Sequence, residues 1–220
     1  DVYKRQVWAV LLVMGLVAML YPLVSTMVNN RYLAKVAEET ETEVLRLPDD
    51  QRDELWGEMV EYNRLLAKKP FSPGVSEGLV SEQDYFEAGA IPGRDELSQV
   101  VIPAIDVSLP VYRGTTQDVL RRGAGHMFGT SLPVGGEGAV TAISAHTGMV
   151  NATMFDNLSK LEVGDAVYLS TLSRKLKYEV EDLRVVPPDD VEAIPTPGLE
   201  GDHVFLITCT PYGLNTDRLV

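Results

Sequence analysis

One cysteine and three histidines are all that this chain of 220 residues offers for thiol or imidazole chemistry. A lone Cys cannot close an internal disulfide, and it excludes zinc sites of the paired-Cys type. Basic residues are also scarce, 19 Lys and Arg against 32 Asp and Glu, for a formal charge of -13. Neutralising a phosphate backbone needs clustered cations, so nucleic acid is excluded as a partner. There is no internal repeat and no low-complexity tract. What is present is a hydrophobic fraction of 45%, enough to fill the core of one ordinary domain and still leave a membrane-anchoring segment. Its 13 Pro and 18 Gly, spread through the second half between short apolar runs, predict many strands joined by turns and therefore a mainly β domain.

From Val7 to Val28 no side chain is charged, and Lys4, Arg5 and Arg31 bracket the run. As a helix this stretch is about 33 Å long, which matches a hydrocarbon core of roughly 30 Å. It exceeds the h-region of a signal peptide, and no small-x-small cleavage site closes it, which favours a retained anchor. Lys4 and Arg5 on one side and an acid-rich stretch on the other place the N-terminus inside and everything after Asn30 outside. Tyr32 to Lys69 reads as helix in two pieces, broken at Pro48, with Asp49 or Asp50 capping the second. In that piece Leu55, Trp56, Met59, Val60, Tyr62 and Leu66 form one apolar face. Pro70 to Asp95 reads as a loop or lid with a short helix near Gln83 to Ala88.

Beyond Leu97 strands are expected at Gln99–Ile105, Val107–Tyr112, Ala139–Ser144, Ala166–Ser170, Lys175–Val186 and His203–Thr208. The parity of apolar residues switches within Lys175–Val186, which predicts a bulge or kink near Asp182. Helical turns are expected at Thr116–Arg121 and Thr153–Leu161.

Val204 to Ile207 is a continuous apolar run, the pattern of a strand covered on both faces, and Pro211 ends its regular pairing. Cys209 thus stands at a strand end that reagents can reach, although a lone Cys is also commonly a small buried hydrophobe. Ala139 to His146 repeats the design. If the two strands are parallel neighbours, His146 meets Cys209 on one rim, and a Tyr212 to Asn215 turn can return Arg218 alongside. A thiolate attacks carbonyls, a neighbouring cation favours the ionised thiol, and an imidazolium can protonate a leaving amine. Arg218 keeps its proton, so its use is to donate hydrogen bonds to substrate or oxyanion. No Asp or Asn in these motifs obviously orients His146, which argues against a papain-like triad.

Several blocks together resemble the sortase family, in its class C, pilus-assembling type. They are Ile102 to Ile105 with Leu109 to Thr115, Gly125-His126 through Gly136, Ser144 to Gly148, Leu161 to Asp165, and Thr208 to Gly213 with Asn215 to Leu219. They run in order over residues 97–220. The resemblance implies an eight-stranded sortase-type β-barrel with short helices, an N-terminal helical extension and an N-terminal transmembrane helix. It divides the chain into a cytoplasmic N-terminus (1–6), an anchor (7–29), a helical extension with lid (30–96) and a catalytic barrel (97–220), with a last strand still running at Val220 and a second membrane pass common beyond it.

The same resemblance implies cleavage of a Leu-Pro-x-Thr-Gly (LPxTG) type signal between Thr and Gly, and a thioester on Cys209. His146 becomes general acid/base, and Arg218 stabilises substrate and oxyanion. Thr208, Thr210 and Ser144 are expected to line the substrate or oxyanion site, His126 to be structural, and His203 has no assigned role. The implied acceptor is a pilin Lys, with a cell-wall peptide amine as the alternative; a rival reading of another class is a non-catalytic membrane-tethered binding domain in which Cys209 is inert. The implied setting is the plasma membrane of a Gram-positive bacterium, with pilin or surface proteins as partners and no cofactor or metal. Phe205 replaces the family's Thr upstream of the Cys. Lys69-Pro70-Phe71 stands where the family's lid carries Asp-Pro-aromatic, so a lid ion pair is not expected; Pro70 and Phe71 mark a lid held by Phe71 alone, one open more often, or a segment that is no inhibitory lid.

Overall fold

The computed structural model describes residues 2–68, 80–190 and 200–220. A single helix, α1 (Val2–Val44), contains both the apolar run and the first part of the extension. Its most apolar window has a mean hydropathy of 2.4, and none of that window is buried. Apolar surface of this extent is not left in water, so the segment is a candidate membrane span. The helix ends at Val44, ahead of Pro48, and α2 (Asp49–Lys68) starts with Asp49 and Asp50 in its first turn, where carboxylates complement the helix dipole. Met59, Tyr62 and Leu66 of α2 are buried, while Val60, expected on the same face, is exposed. It lies one residue, about 100°, around the helix from Met59 and so falls off the stripe. Ser81 caps α3 (Glu82–Glu87) through a capping box with Asp84.

The remaining strands are β1 (Glu96–Ile102), β2 (Val107–Arg113), β3 (Ala124–His126), β4 (Ala139–Ser144), β5 (Ala166–Thr171), β6 (Arg174–Glu179), β7 (Val185–Val186), β8 (Asp202–Thr210) and β9 (Asp217–Leu219). They form one sheet in the order β6-β5-β1-β2-β3-β4-β8-β9-β7, with α4 (Gln117–Arg122) before β3. The curled, mainly β architecture is the one expected, and the nine strands among the described residues include the two-residue β7.

Some boundaries differ from the sequence reading. The first strand ends at Ile102 because Pro103 opens a 3-10 turn that closes on Asp106 in the left-handed region (φ 54°). The expected long strand stops at Glu179 and resumes only at Val185, so the predicted kink is a complete break. Thr153 to Leu161 holds only a 3-10 turn at Leu158–Lys160. The short β3 carried no periodic signal of its own. Val204 to Leu206 is half-buried rather than covered on both faces. The three-residue β9 leaves one side of that stretch facing a cavity of about 600 Å³ shared with Lys177 to Arg184.

Two apolar clusters hold the structure. One fills the barrel and includes Val100, Val111, Ile143, Phe155, Leu169 and Leu219, with Leu33 of α1. The other joins Met59, Tyr62 and Leu66 of α2 to Tyr85, Leu97, Leu132, Val134 and Leu172. The Asn63 amide fastens α2 further, donating to the Leu132 carbonyl (2.9 Å) and accepting from the Leu132 N–H (2.7 Å). Strand directions fix two ends of the barrel. β4 and β8 finish at one end, and Leu97, Leu172 and α2 lie at the other.

Candidate active site

The site follows from one register. β4 and β8 pair in parallel, with Ala139 opposite Asp202 and Ser144 opposite Ile207. The ladder continues past β4, since the Ala145 N–H donates to the Ile207 carbonyl at 3.1 Å. The same offset carries His146 to the level of Cys209. On the other side of β8, Cys209 is directly opposite Arg218 of antiparallel β9. Cross-strand partners project to the same face of a sheet, and alternate residues along a strand share a face. Cys209 and Arg218 are thus cross-strand partners, and the same register, extended two residues past the end of β4, sets His146 beside Cys209 to complete a row. The opposite face carries Ile143, Ala145, Leu206 and Leu219, which pack in the barrel core. The row thus faces outward; Cys209 is a free, half-buried thiol, and His146 and Arg218 are half-buried as well.

Each member is held by its own local device. After Cys209 the Thr210–Pro211 peptide is cis, and Leu214 and Asn215 both donate to the Pro211 carbonyl (3.1 and 2.9 Å). Gly213 (φ 78°) and Asn215 (φ 57°) take up left-handed conformations that reverse the chain into β9. The Arg218 guanidinium donates to the Asp217 carbonyl at 2.9 Å and to the Asn215 carbonyl at 3.4 Å. His146 is fixed through its backbone: its carbonyl accepts from the Phe155 N–H at 3.1 Å. Two residues on, the Gly148 N–H donates to the Asp156 carboxylate at 2.7 Å. Partial burial and then the nearby Arg121 guanidinium both disfavour the imidazolium, so the His146 pKa lies below its ordinary value. No described acceptor bonds the His146 ring.

The supporting residues separate by face. Thr208 is buried, donates to the Ala145 carbonyl at 2.8 Å and shares a 2.5 Å hydrogen bond with the Thr147 hydroxyl. It stands behind the row, tying β8 to the strand end that carries His146, and not in front of it where substrate or an oxyanion would be. Thr210 has the same parity as Thr208 and pairs with Asp217. Ser144 shares the outward face with His146, one pleat below it. Lys69, Pro70 and Phe71, expected as a lid, lie outside the described residues.

The other two histidines are accounted for differently. His126 is fully buried and stacked on Tyr85. Its Nδ1 meets the Tyr85 hydroxyl at 2.9 Å, and its Nε2 meets the Ser131 carbonyl at 2.8 Å. Burial pushes its pKa down to about 4, so it is a neutral structural residue. His203 bonds the Glu200 carbonyl at 2.8 Å. Among the described residues no group of three or more His, Cys, Asp or Glu could hold a metal ion. Sequence reasoning assigned no role to Thr147, although it lies in the Ser144 to Gly148 block, or to Asp156 and Arg121, which carry no motif signal. Each matters only because the fold brings it to the His146 strand end.

Comparison with known proteins identifies the family of the domain that carries this row. A family model described as the sortase domain matches residues 100–220. The chain is 29% identical to sortase D of Bacillus subtilis over 150 residues, which covers 68% of this chain and 72% of that protein. Other curated proteins it matches, named sortase A, are covered over only 45% to 57% of their length. Among solved structures, Streptococcus pneumoniae sortase C superposes with a TM-score of 0.72 at 34% identity, covering 84% of this chain and 93% of that one; its description concerns catalysis and pilin substrate specificity. Clostridium perfringens sortase C, solved with a C-terminal cell wall sorting motif, gives a TM-score of 0.71 at 34% identity, covering 84% and 94%.

Proposed function

The chain belongs to the sortase family of cysteine transpeptidases, and we propose on that premise that it cleaves an LPxTG-type sorting signal and joins it to a Lys amine of a pilin subunit. The observation that carries the catalytic part is the outward row of His146, Cys209 and Arg218 set by the β4–β8–β9 register. The pilin part is supported by the likeness to the pneumococcal sortase C, and the signal part by the Clostridium perfringens enzyme solved with a sorting motif. The apolar half of α1 is the anchor, with the N-terminus inside and the barrel outside, at the surface of a Gram-positive cell.

In this reading the Cys209 thiolate attacks the Thr carbonyl of the signal, and Arg218 donates hydrogen bonds to the developing oxyanion. Collapse of the tetrahedral intermediate breaks the Thr–Gly C–N bond. The leaving Gly amine takes a proton from the His146 imidazolium, and a thioester remains on Cys209. The acceptor amine then attacks the thioester and gives its proton to the now neutral His146. The thiolate leaves, an isopeptide bond has formed, and the enzyme returns to its starting state. Ser144, on the same face as His146, is positioned to border the signal. Thr208 acts from behind, by keeping the His146 strand end in register with Cys209.

The test is direct. The protein incubated with a sorting-signal peptide should gain the mass of the Thr-terminated fragment on Cys209, and release the Gly-terminated one. A protein whose Cys209 acquires no acyl group, also after removal of residues 69–75, is a binding module instead. Offering the acyl-enzyme a pilin Lys and a cell-wall peptide amine in competition then identifies the acceptor. Preference for the wall peptide would replace pilus polymerisation with surface-protein anchoring.

A further inference from the structure

The end of the barrel that carries the row is also the end from which α1 leaves it. Towards its C-terminus α1 packs along the barrel wall. Val44 sits with Leu97 and Leu172 at the far end, and Leu33 joins the cluster that fills the barrel. Asn30 then reaches the loop that follows His146: its amide donates to Thr153 Oγ1 at 2.7 Å and accepts from the Thr153 N–H at 3.0 Å. One turn earlier the Thr26 hydroxyl donates to the Val150 carbonyl at 3.2 Å. Thr26 lies inside the apolar run that ends at Val28. The helix continues unbroken from Val44 back to Val2, so the apolar half projects beyond the rim and not away from it.

The loops that face this projection are apolar at their tips. Val150 is 72% exposed, Tyr212 65% and Leu214 74%. The two loops adjoin, since a Cβ placed on Gly148 would lie 3.9 Å from the Tyr212 ring. Neither Thr147 to Val150 nor Pro211 to Leu214 contains a charged side chain.

We propose that this rim docks on the bilayer that holds α1, with Val150, Tyr212 and Leu214 seated in its interface and Cys209 opening just above the lipid headgroups. The proposal rests on the reading of α1 as the anchor. The occupant follows from the tether. With the run from Val7 to Val28 in hydrocarbon, a loop hydrogen-bonded to Thr26 is held within one helical turn, about 5 Å, of the hydrocarbon boundary. Exposed aliphatic and aromatic side chains at that depth gain free energy from burial in the interface, where Tyr is favoured. The enzyme would then meet signals a few residues outside the same membrane, while soluble sequences would have to enter between protein and lipid.

The experiment uses the full chain with Cys209→Ala, spin-labelled at single introduced cysteines and reconstituted in phosphatidylcholine/phosphatidylglycerol liposomes. Collision with oxygen reports lipid, and collision with a nickel chelate reports water. Labels at Val150→Cys and Leu214→Cys should favour oxygen. A label at Val60→Cys, on α2 at the far end, should favour nickel, and one at Leu16→Cys should be deep in lipid. If Leu16 is lipid-exposed while Val150 and Leu214 behave like Val60, rim docking is wrong and the anchor stands. A water-exposed Leu16 overturns the anchor and the docking together. A second measurement needs no label. In the active protein, Val150→Asp and Leu214→Asp should slow turnover several-fold on a signal peptide that carries its own membrane-spanning tail, and turn over a short soluble signal peptide no more slowly than before. Equal effects on both substrates would count against the docking.

Discussion

Thr208→Val tests whether register alone positions the histidine. The substitution keeps the branched shape and removes one hydroxyl. That hydroxyl donates to the buried Ala145 carbonyl and bonds Thr147. Without it the Ala145 carbonyl is buried with no donor, at a cost of about 1–3 kcal/mol. Urea unfolding of the detergent-solubilised protein should show a lower midpoint at unchanged slope. The strand end carrying His146 loses its lateral tie to β8, and a displacement of even 1 Å between reacting groups costs on the order of 10² in rate. The acyl-transfer kcat should therefore fall by roughly 10- to 100-fold, with KM little changed because Thr208 does not face substrate. Thr208→Ser retains the hydroxyl and should recover most of the rate while remaining somewhat destabilised by the lost methyl. A Thr208→Val enzyme with normal kcat would refute the positioning role, and a change confined to KM would put Thr208 in contact with the signal after all.

Arg218→Lys keeps the charge but loses the planar fork of donors, and kcat/KM for the signal peptide should fall by about 10²-fold or more, as for loss of an oxyanion donor. Arg121→Ala removes a cation that disfavours the His146 imidazolium, so the His146 titration followed by NMR should move up. It should stay below the ordinary value of 6.5, because partial burial is the larger cause. His126 is protonated near pH 6.5 in the unfolded chain and only near pH 4 when folded. Its contribution is therefore complete above about 6.5 and is lost as pH falls towards 4, up to ~3 kcal/mol in all; a His126→Asn protein should be weaker at neutral pH and show a flatter acid limb in unfolding experiments. Tyr85→Phe deletes the hydroxyl that bonds the His126 ring, the His126 carbonyl and the Gly114 N–H, and should cost about 1–3 kcal/mol in thermal or denaturant unfolding.

Much of the candidate site is legible in the sequence. Two apolar runs that each give way to a polar residue at a strand end, Ala139 to His146 and Val204 to Cys209, place an imidazole and a thiol where a sheet has its rim. Pro211 and the Gly213-Asn215 turn announce the reversal that returns Arg218. Those signals are local, and local patterning is what a sequence states openly. Thr208 was the misleading case. It sits in the same motif as Cys209, yet strand alternation turns its side chain to the opposite face.

By itself the sequence determined the apolar helix, the helix break at Pro48, the mainly β texture and the chemical identities at the two strand ends, because each depends on residues close together in the chain. Tertiary structure alone decided the rest. The parallel offset that levels His146 with Cys209, the pairing of Cys209 with Arg218, and the docking of Asn30 and Thr26 on the loop after His146 join segments far apart in the chain. Register and docking are chosen by which faces can be buried together, and that competition is settled only when the whole sheet closes around its core.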